Sequence, residues 1–130
     1  MEAYPGKVKL VFKQFPLDTH SQAAQAARAA LAAQQQGKFW EMHDALFAHR
    51  RDLSMTTIAS LAKNIGLDMQ RFQADLNSPE TKKAILKDVD DGDKAGVEGT
   101  PSVYINGRKY NGSLELEPMK KIIDEELKKR

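Results

Sequence analysis

Apolar and polar positions along this chain follow two periods. From Lys7 to Phe15, Val8, Leu10 and Phe12 alternate with Lys9, Val11 and Lys13, the period of two that predicts a strand. Pro16 ends it. The period then lengthens to that of a helix. Thr19 and Gln22 are spaced as a capping box, and Ala23 to Gln36 follows as an alanine-rich helix. Alanine is the best helix former and lets neighbouring elements approach closely. Gly37 suits the position just past the helix end. A second helix is predicted from Lys38 to about Arg50. Phe39, Met42, His43 and Leu46 share one face, and Trp40 and Phe47 widen it. Ser54 caps a third, whose stripe Ile58, Leu61, Ala62 and Ile65 is closed by Gly66. Asp68 caps a short fourth helix carrying Phe72 and Leu76. Ser78 and Pro79 read as cap and first residue of a fifth, which runs to about Ala95 before Gly96.

After Pro101 the pattern shortens again. Ser102 to Ile105 is rich in β-formers, and Asn106-Gly107 is a strong hairpin signal, because both central positions of a type I′ turn need positive φ. Arg108 to Asn111 is the returning arm. Pro118 is expected to start a last helix with Met119, Ile122, Ile123 and Leu127 inward. Strand, five helices, hairpin and helix make a mixed α/β domain with its helices inserted in the middle.

Composition narrows the picture. The 130 residues suffice for one core, and 41% hydrophobic with 29% charged residues reads as globular. Twenty basic against 18 acidic residues leave a net charge of +2, which is no footprint for nucleic acid. Lys128-Lys129-Arg130 reads as a solvated helix end. No apolar run approaches the roughly 18 residues of a membrane span. The first residues have neither the basic start nor the apolar stretch of a signal peptide, so the chain as written is expected in the cytoplasm. There is no cysteine, which excludes disulfides and thiolate metal ligands.

Four segments carry a resemblance: Glu2 to Val8, Phe12 to Leu17, Gly37 to Phe47, and Gly96-Val97-Glu98-Gly99-Thr100-Pro101-Ser102-Val103-Tyr104-Ile105-Asn106-Gly107. In this order they resemble the DsbA-like thioredoxin-fold family over nearly the whole chain. The resemblance implies an α/β, incomplete thioredoxin-like fold, a single domain over residues 1–130 with its helical insertion at about 19–95. It begins after the family's first strand and Cys-x-x-Cys helix. The family catalyses thiol–disulfide exchange, as oxidoreductase or isomerase, through a thiolate. A chain without cysteine is expected to be inactive, and no catalytic residue carries over. The proline loop does, as Gly99, Thr100 and Pro101, the expected peptide-binding residues. The Thr100–Pro101 bond is expected to be cis, which for proline costs only about 0.5–1 kcal/mol.

Other candidates favour structural roles. His43 lies on an apolar helix face with Asp44 expected to point elsewhere, so a half-buried core histidine is favoured over a general base. His20 and His49 flank helices as surface residues, and three histidines without ligand spacing make no metal site. Calcium loops use alternating carboxylates but need glycine at the turn and a bidentate glutamate at the end; Asp88, Asp90, Asp91 and Asp93 follow Ile85 and precede Ala95 at helical spacing, and read as a solvated helix face. Phe39, Trp40, Phe47 and Phe72 read as core. No Ser-His-Asp arrangement or phosphate-cradling glycine loop is visible, and no cofactor is expected.

Two functional readings follow. In the first, the chain is an N-terminally truncated, redox-inactive DsbA-like protein whose full-length parent is expected to be periplasmic or extracytoplasmic. In the second, it is a non-catalytic module that binds extended peptide along the proline-loop groove. A kinship with glutathione-using enzymes of this fold gains no support. In the family the absent strand is central, between those matching Lys7–Phe15 and Ser102–Ile105. Its loss leaves unpaired backbone groups, at roughly 1–3 kcal/mol each where buried, against a net stability of about 5–15 kcal/mol. Lys7–Phe15 is therefore expected to slide against Ser102–Ile105, to gain cover from a second chain, or both, and a homodimer is expected.

Overall fold

The computed structural model describes residues 3–17 and 22–129. They gather into two compact units, Met1–Gly96 and Val97–Arg130.

The first unit holds five helices: α1 (Ala23–Gln34), α2 (Phe39–Ala48), α3 (Met55–Asn64), α4 (Met69–Leu76) and α5 (Pro79–Lys94). Their starts follow the capping chemistry. The Ser54 hydroxyl accepts from the Thr57 N–H, the Asp68 carboxylate from the N–H groups of Gln70 and Arg71, and the Ser78 hydroxyl from Thr81 N–H. Pro79 opens α5, where its missing N–H has no partner to lose. Gly37 and Gly66, with φ of +72° and +86°, turn the chain out of α1 and α3 in the left-handed region that glycine enters without strain. The capping box expected at Thr19 lies outside the described residues. α1 stops at Gln34 rather than Gln36, and α2 covers Phe39–Ala48 rather than 38–50.

Packing centres on α1. Ala29, Ala32 and Ala33 are fully buried, and α1 touches each of the four other helices of this unit. The small face admits Met42 and Leu46 from α2, Ile58 from α3, and Phe72 and Leu76 from α4. Each large apolar side chain buried here contributes about 1.5–3 kcal/mol. Glutamines on and beside α1 then pin the loops. Leu53 donates its N–H to Gln22 Oε1 (2.7 Å) and accepts at its carbonyl from Gln25 Nε2 (2.6 Å). A single amide, Gln36, serves both groups of Asp68, at 2.8 and 3.1 Å. A primary amide matches a backbone peptide donor for acceptor, so these loops are satisfied without a sheet.

The strand expected over Lys7–Phe15 does not form. Residues 8–17 carry no regular structure, and the backbone groups of Val8 to Phe12 hydrogen-bond to no other described residue. Alternation is necessary for a half-buried strand, but a strand exists only against a neighbour. Instead the segment is tied down at one end. The Gln14 N–H donates to Asp88 Oδ2 (2.8 Å), and Lys13 Nζ reaches Asp91 Oδ2 at 3.0 Å and Asp88 Oδ1 at 3.8 Å.

The second unit is a hairpin followed by a helix. Strands β1 (Val103–Ile105) and β2 (Arg108–Tyr110) pair antiparallel, with Val103 opposite Tyr110 and Ile105 opposite Arg108. Asn106 and Gly107 have φ of 48° and 83°, as a type I′ turn requires. Among the described residues the sheet has these two strands alone, so the slide of Lys7–Phe15 against Ser102–Ile105, one of the two repairs open to the chain, is not adopted there. Helix α6 (Leu116–Lys128) starts two residues before Pro118. Proline is accommodated there because N–H groups of the first turn have no intrahelical acceptor. Met119, Ile122, Ile123 and Leu127 form its apolar stripe, half-buried, and no residue of α6 is fully buried.

Two substitutions test this packing. Ala32→Leu adds apolar surface but has no room beside the fully buried alanines, and should destabilise the chain by about 1–3 kcal/mol in urea denaturation. A neutral or stabilising effect would show that the alanine face is not close-packed. Ser78→Ala removes the α5 cap and should cost about 1 kcal/mol.

Candidate functional site

The proline loop opens the second unit. Its Thr100–Pro101 peptide bond is cis. Gly99 is half-buried, while Thr100 and Pro101 are exposed. The Ser102 hydroxyl donates to the Gly99 carbonyl at 2.6 Å and closes the turn on that side. The Thr100 N–H and C=O bond to no described residue, and Pro101 has no N–H. The loop therefore presents one donor and one acceptor of main chain to solvent, directly ahead of β1, whose only strand partner among the described residues is β2. Free main-chain groups at the head of an edge strand are what an extended peptide pairs with.

The first unit places the remaining candidates. His43 is half-buried, as expected, but its neighbours differ from expectation. Its Nδ1 lies 3.1 Å from Asp44 Oδ1. Adjacent helical positions diverge by about 100°, yet His43 Nδ1 and the Asp44 carboxylate are within hydrogen-bond distance. Around the ring stand Phe12 (5.0 Å between centroids), Trp40 (5.1 Å) and Phe47 (4.6 Å). Of the four aromatic residues read as core, Phe72 is fully buried and Phe39 half-buried, whereas Trp40 and Phe47 are 42% and 56% exposed. The stripe on α2 is wider than the core beneath it. His49 caps α2, its Nδ1 3.0 Å from the Ala45 carbonyl; His20 lies outside the described residues.

The acidic run has a role that its spacing did not disclose. Asp90 pairs with Lys94 along α5, a solvated i,i+4 contact. Asp88 and Asp91 face the incoming segment and hold Gln14 and Lys13, with Lys87 also on Asp91 at 2.9 Å. Among the described residues, no group of three histidine or carboxylate side chains could hold a metal ion. No helix there is long and apolar enough to cross a membrane.

These charges respond to one another. Hydrogen bonds from Lys87 and Lys13 hold the Asp91 carboxyl below the usual carboxylate range, and the bond to Asp91 raises the Lys13 ammonium above its ordinary value. A depressed carboxylate adds stability above its unfolded pKa, lost as pH falls through the folded one. A raised ammonium adds stability below its unfolded pKa, lost as pH rises through the folded one. The anchor is thus complete across the neutral range and weakens at both extremes.

Known proteins resemble this chain in sequence and fold. The family model described as Thioredoxin matches residues 1–125, and the chain belongs to that family. It is 36% identical over 132 residues to the probable disulfide bond formation protein D of Bacillus anthracis, covering 95% of this chain and 60% of that protein. It is 40% identical over 113 residues to the Na(+)/H(+) antiporter NhaA 1 of Salinispora arenicola, covering 86% of this chain but 17% of the antiporter. Among solved structures, a thioredoxin-like oxidoreductase from Silicibacter pomeroyi DSS-3 superposes with a TM-score of 0.75 at 31% identity, over 92% of this chain and 68% of that one. The chain therefore spans less than a fifth of the antiporter's length and three fifths of the disulfide-bond protein's. The likenesses support a DsbA-like thioredoxin fold, as the four sequence segments implied.

Replacing Asp91 with asparagine should lower the urea midpoint at neutral pH and flatten the acid limb of the stability–pH curve, by a small amount because the pair is solvated. An acid limb identical to wild type would show that Asp91 does not anchor Lys13.

Proposed function

We propose that this chain is a cysteine-free member of the thioredoxin family that holds extended peptide at Gly99, Thr100 and Pro101 and performs no thiol–disulfide exchange by itself. The observation that carries the reading is the exposed proline loop, whose Thr100 main chain bonds to no described residue, in a sequence containing no cysteine. Exchange proceeds by thiolate attack on a disulfide sulfur, and no side chain present substitutes for that nucleophile. The peptide would be recognised through its backbone, with little side-chain specificity, because what the loop offers is one N–H and one C=O. The relative named for disulfide bond formation supports a polypeptide as the partner.

A second reading is favoured by the share of its relatives that the chain spans, 60% of the disulfide-bond protein and 68% of the solved oxidoreductase. On it, these residues are the peptide-holding part of a longer oxidoreductase whose Cys-x-x-Cys unit is encoded upstream. An in-frame Cys-x-x-Cys ahead of the Met1 codon would establish this reading, and an in-frame stop there would exclude it.

The purified chain should reduce insulin disulfides, and oxidise a dithiol peptide, no faster than blank. Activity above blank in a preparation free of other oxidoreductases would refute the first reading. Peptide binding has its own test: titration with a reduced, carboxamidomethylated unfolded polypeptide, followed by amide chemical shifts. Gly99, Thr100 and Ser102 should move. Shifts confined to other residues, or none at all at millimolar peptide, would place the peptide elsewhere or nowhere.

A further inference from the structure

The first unit leaves a continuous apolar face uncovered. Leu10, Val11 and Phe12 are 56%, 60% and 41% exposed, and Trp40 and Phe47 join them from α2. The Phe12 ring lies 6.2 Å from that of Trp40, in an edge-on contact, and His43 bridges Phe12 to Phe47. Isolated exposed apolar residues are ordinary, but a contiguous, polar-rimmed group of this kind marks a contact surface. Leu10, Val11 and Phe12 are neighbours in sequence and are all exposed, because no ladder assigns alternate residues to a buried side.

Charge identifies the occupant. The face has two arms. The segment arm carries Lys7 and Lys9, exposed and without a carboxylate partner among the described residues, whereas Lys13 is occupied by Asp88 and Asp91. The α2 arm carries Glu41, with no cationic partner among those residues, and Asp44, whose only contact of this kind is the His43 ring. Both acids lie on the helical turns that present Trp40 and His43. An acidic partner would set like charges against Glu41 and Asp44, and a basic one would do so against Lys7 and Lys9. A two-fold copy does neither. In an isologous contact each arm meets the other arm of its partner, so two cations face two anions twice over while the aromatic centres bury one another.

We infer that this face, built from Leu10, Val11, Phe12, Trp40 and Phe47, is the interface of a homodimer in which the lysine arm of each chain crosses the acidic arm of α2 in the other. The inference is independent of whether the proline loop binds peptide, since it draws on the first unit alone.

Sedimentation equilibrium of the full chain at micromolar concentration tests it, alongside the emission of Trp40, the only tryptophan in the sequence. The expected result is a dimer whose Trp40 emission shifts to the red on dilution. Lys9→Glu and Asp44→Lys should each weaken association by roughly tenfold or more, and the double variant K9E/D44K should recover it. Phe47→Lys, at an exposed position, should abolish it with far-UV circular dichroism unchanged. A folded monomer at these concentrations overturns the inference. So does a dimer indifferent to the charge reversals with concentration-independent Trp40 emission, since its contact would lie on another face.

Discussion

The helical unit depends on how closely other helices can approach α1. Ala29, Ala32 and Ala33 leave backbone almost bare along one side, and Met42, Ile58 and Phe72 fill the space that larger residues on α1 would have taken. Protein interiors are packed near the density of organic crystals, so a small face on one helix demands large side chains on its neighbours. The glutamines that pin Leu53 and Asp68 complete the arrangement, because their amides satisfy both the donor and the acceptor of a loop residue. This unit therefore closes through helix packing and side-chain amides, with no strand among its described residues.

The segment before it is organised by the opposite condition. Val8 to Phe12 has the composition of a strand but no strand partner among the described residues, and an unpaired strand gains nothing from being extended. What holds it is electrostatic and hydrogen-bonded: Asp88 takes the Gln14 N–H and Asp91 takes Lys13. Leu10, Val11 and Phe12 then all stay outward, and Phe12 covers part of the aromatic face on α2 while leaving Trp40 and Phe47 largely in solvent. One missing ladder thus accounts for the acidic anchor and the apolar surface together.

In the second unit, the loop at Gly99, Thr100 and Pro101 keeps its main chain available for a simple reason. Pro101 removes one donor, Ser102 consumes the Gly99 carbonyl, and Thr100 is left without a partner among the described residues. Thioredoxin-family membership gives this loop its setting, and the sequence offers no thiolate to react beside it.

Much of this was legible in the sequence where the determinant is local. Ser54, Asp68 and Ser78 cap the helices they precede, because a side-chain oxygen reaches an N–H two or three residues on without help from the rest of the molecule. Asn106-Gly107 makes its turn for the same reason, and the lack of a thiol needs no fold at all. What tertiary structure decided is everything that requires a partner far along the chain. Alternation over Lys7–Phe15 could not supply a neighbouring strand. Spacing within α5 could not show that Asp88 and Asp91 meet residues more than 70 positions away. An aromatic stripe could not reveal that the core beneath it ends at Met42 and Leu46, leaving Trp40 and Phe47 outside. Periodicity reports which residues share a face; whether anything covers that face is settled by packing between distant segments.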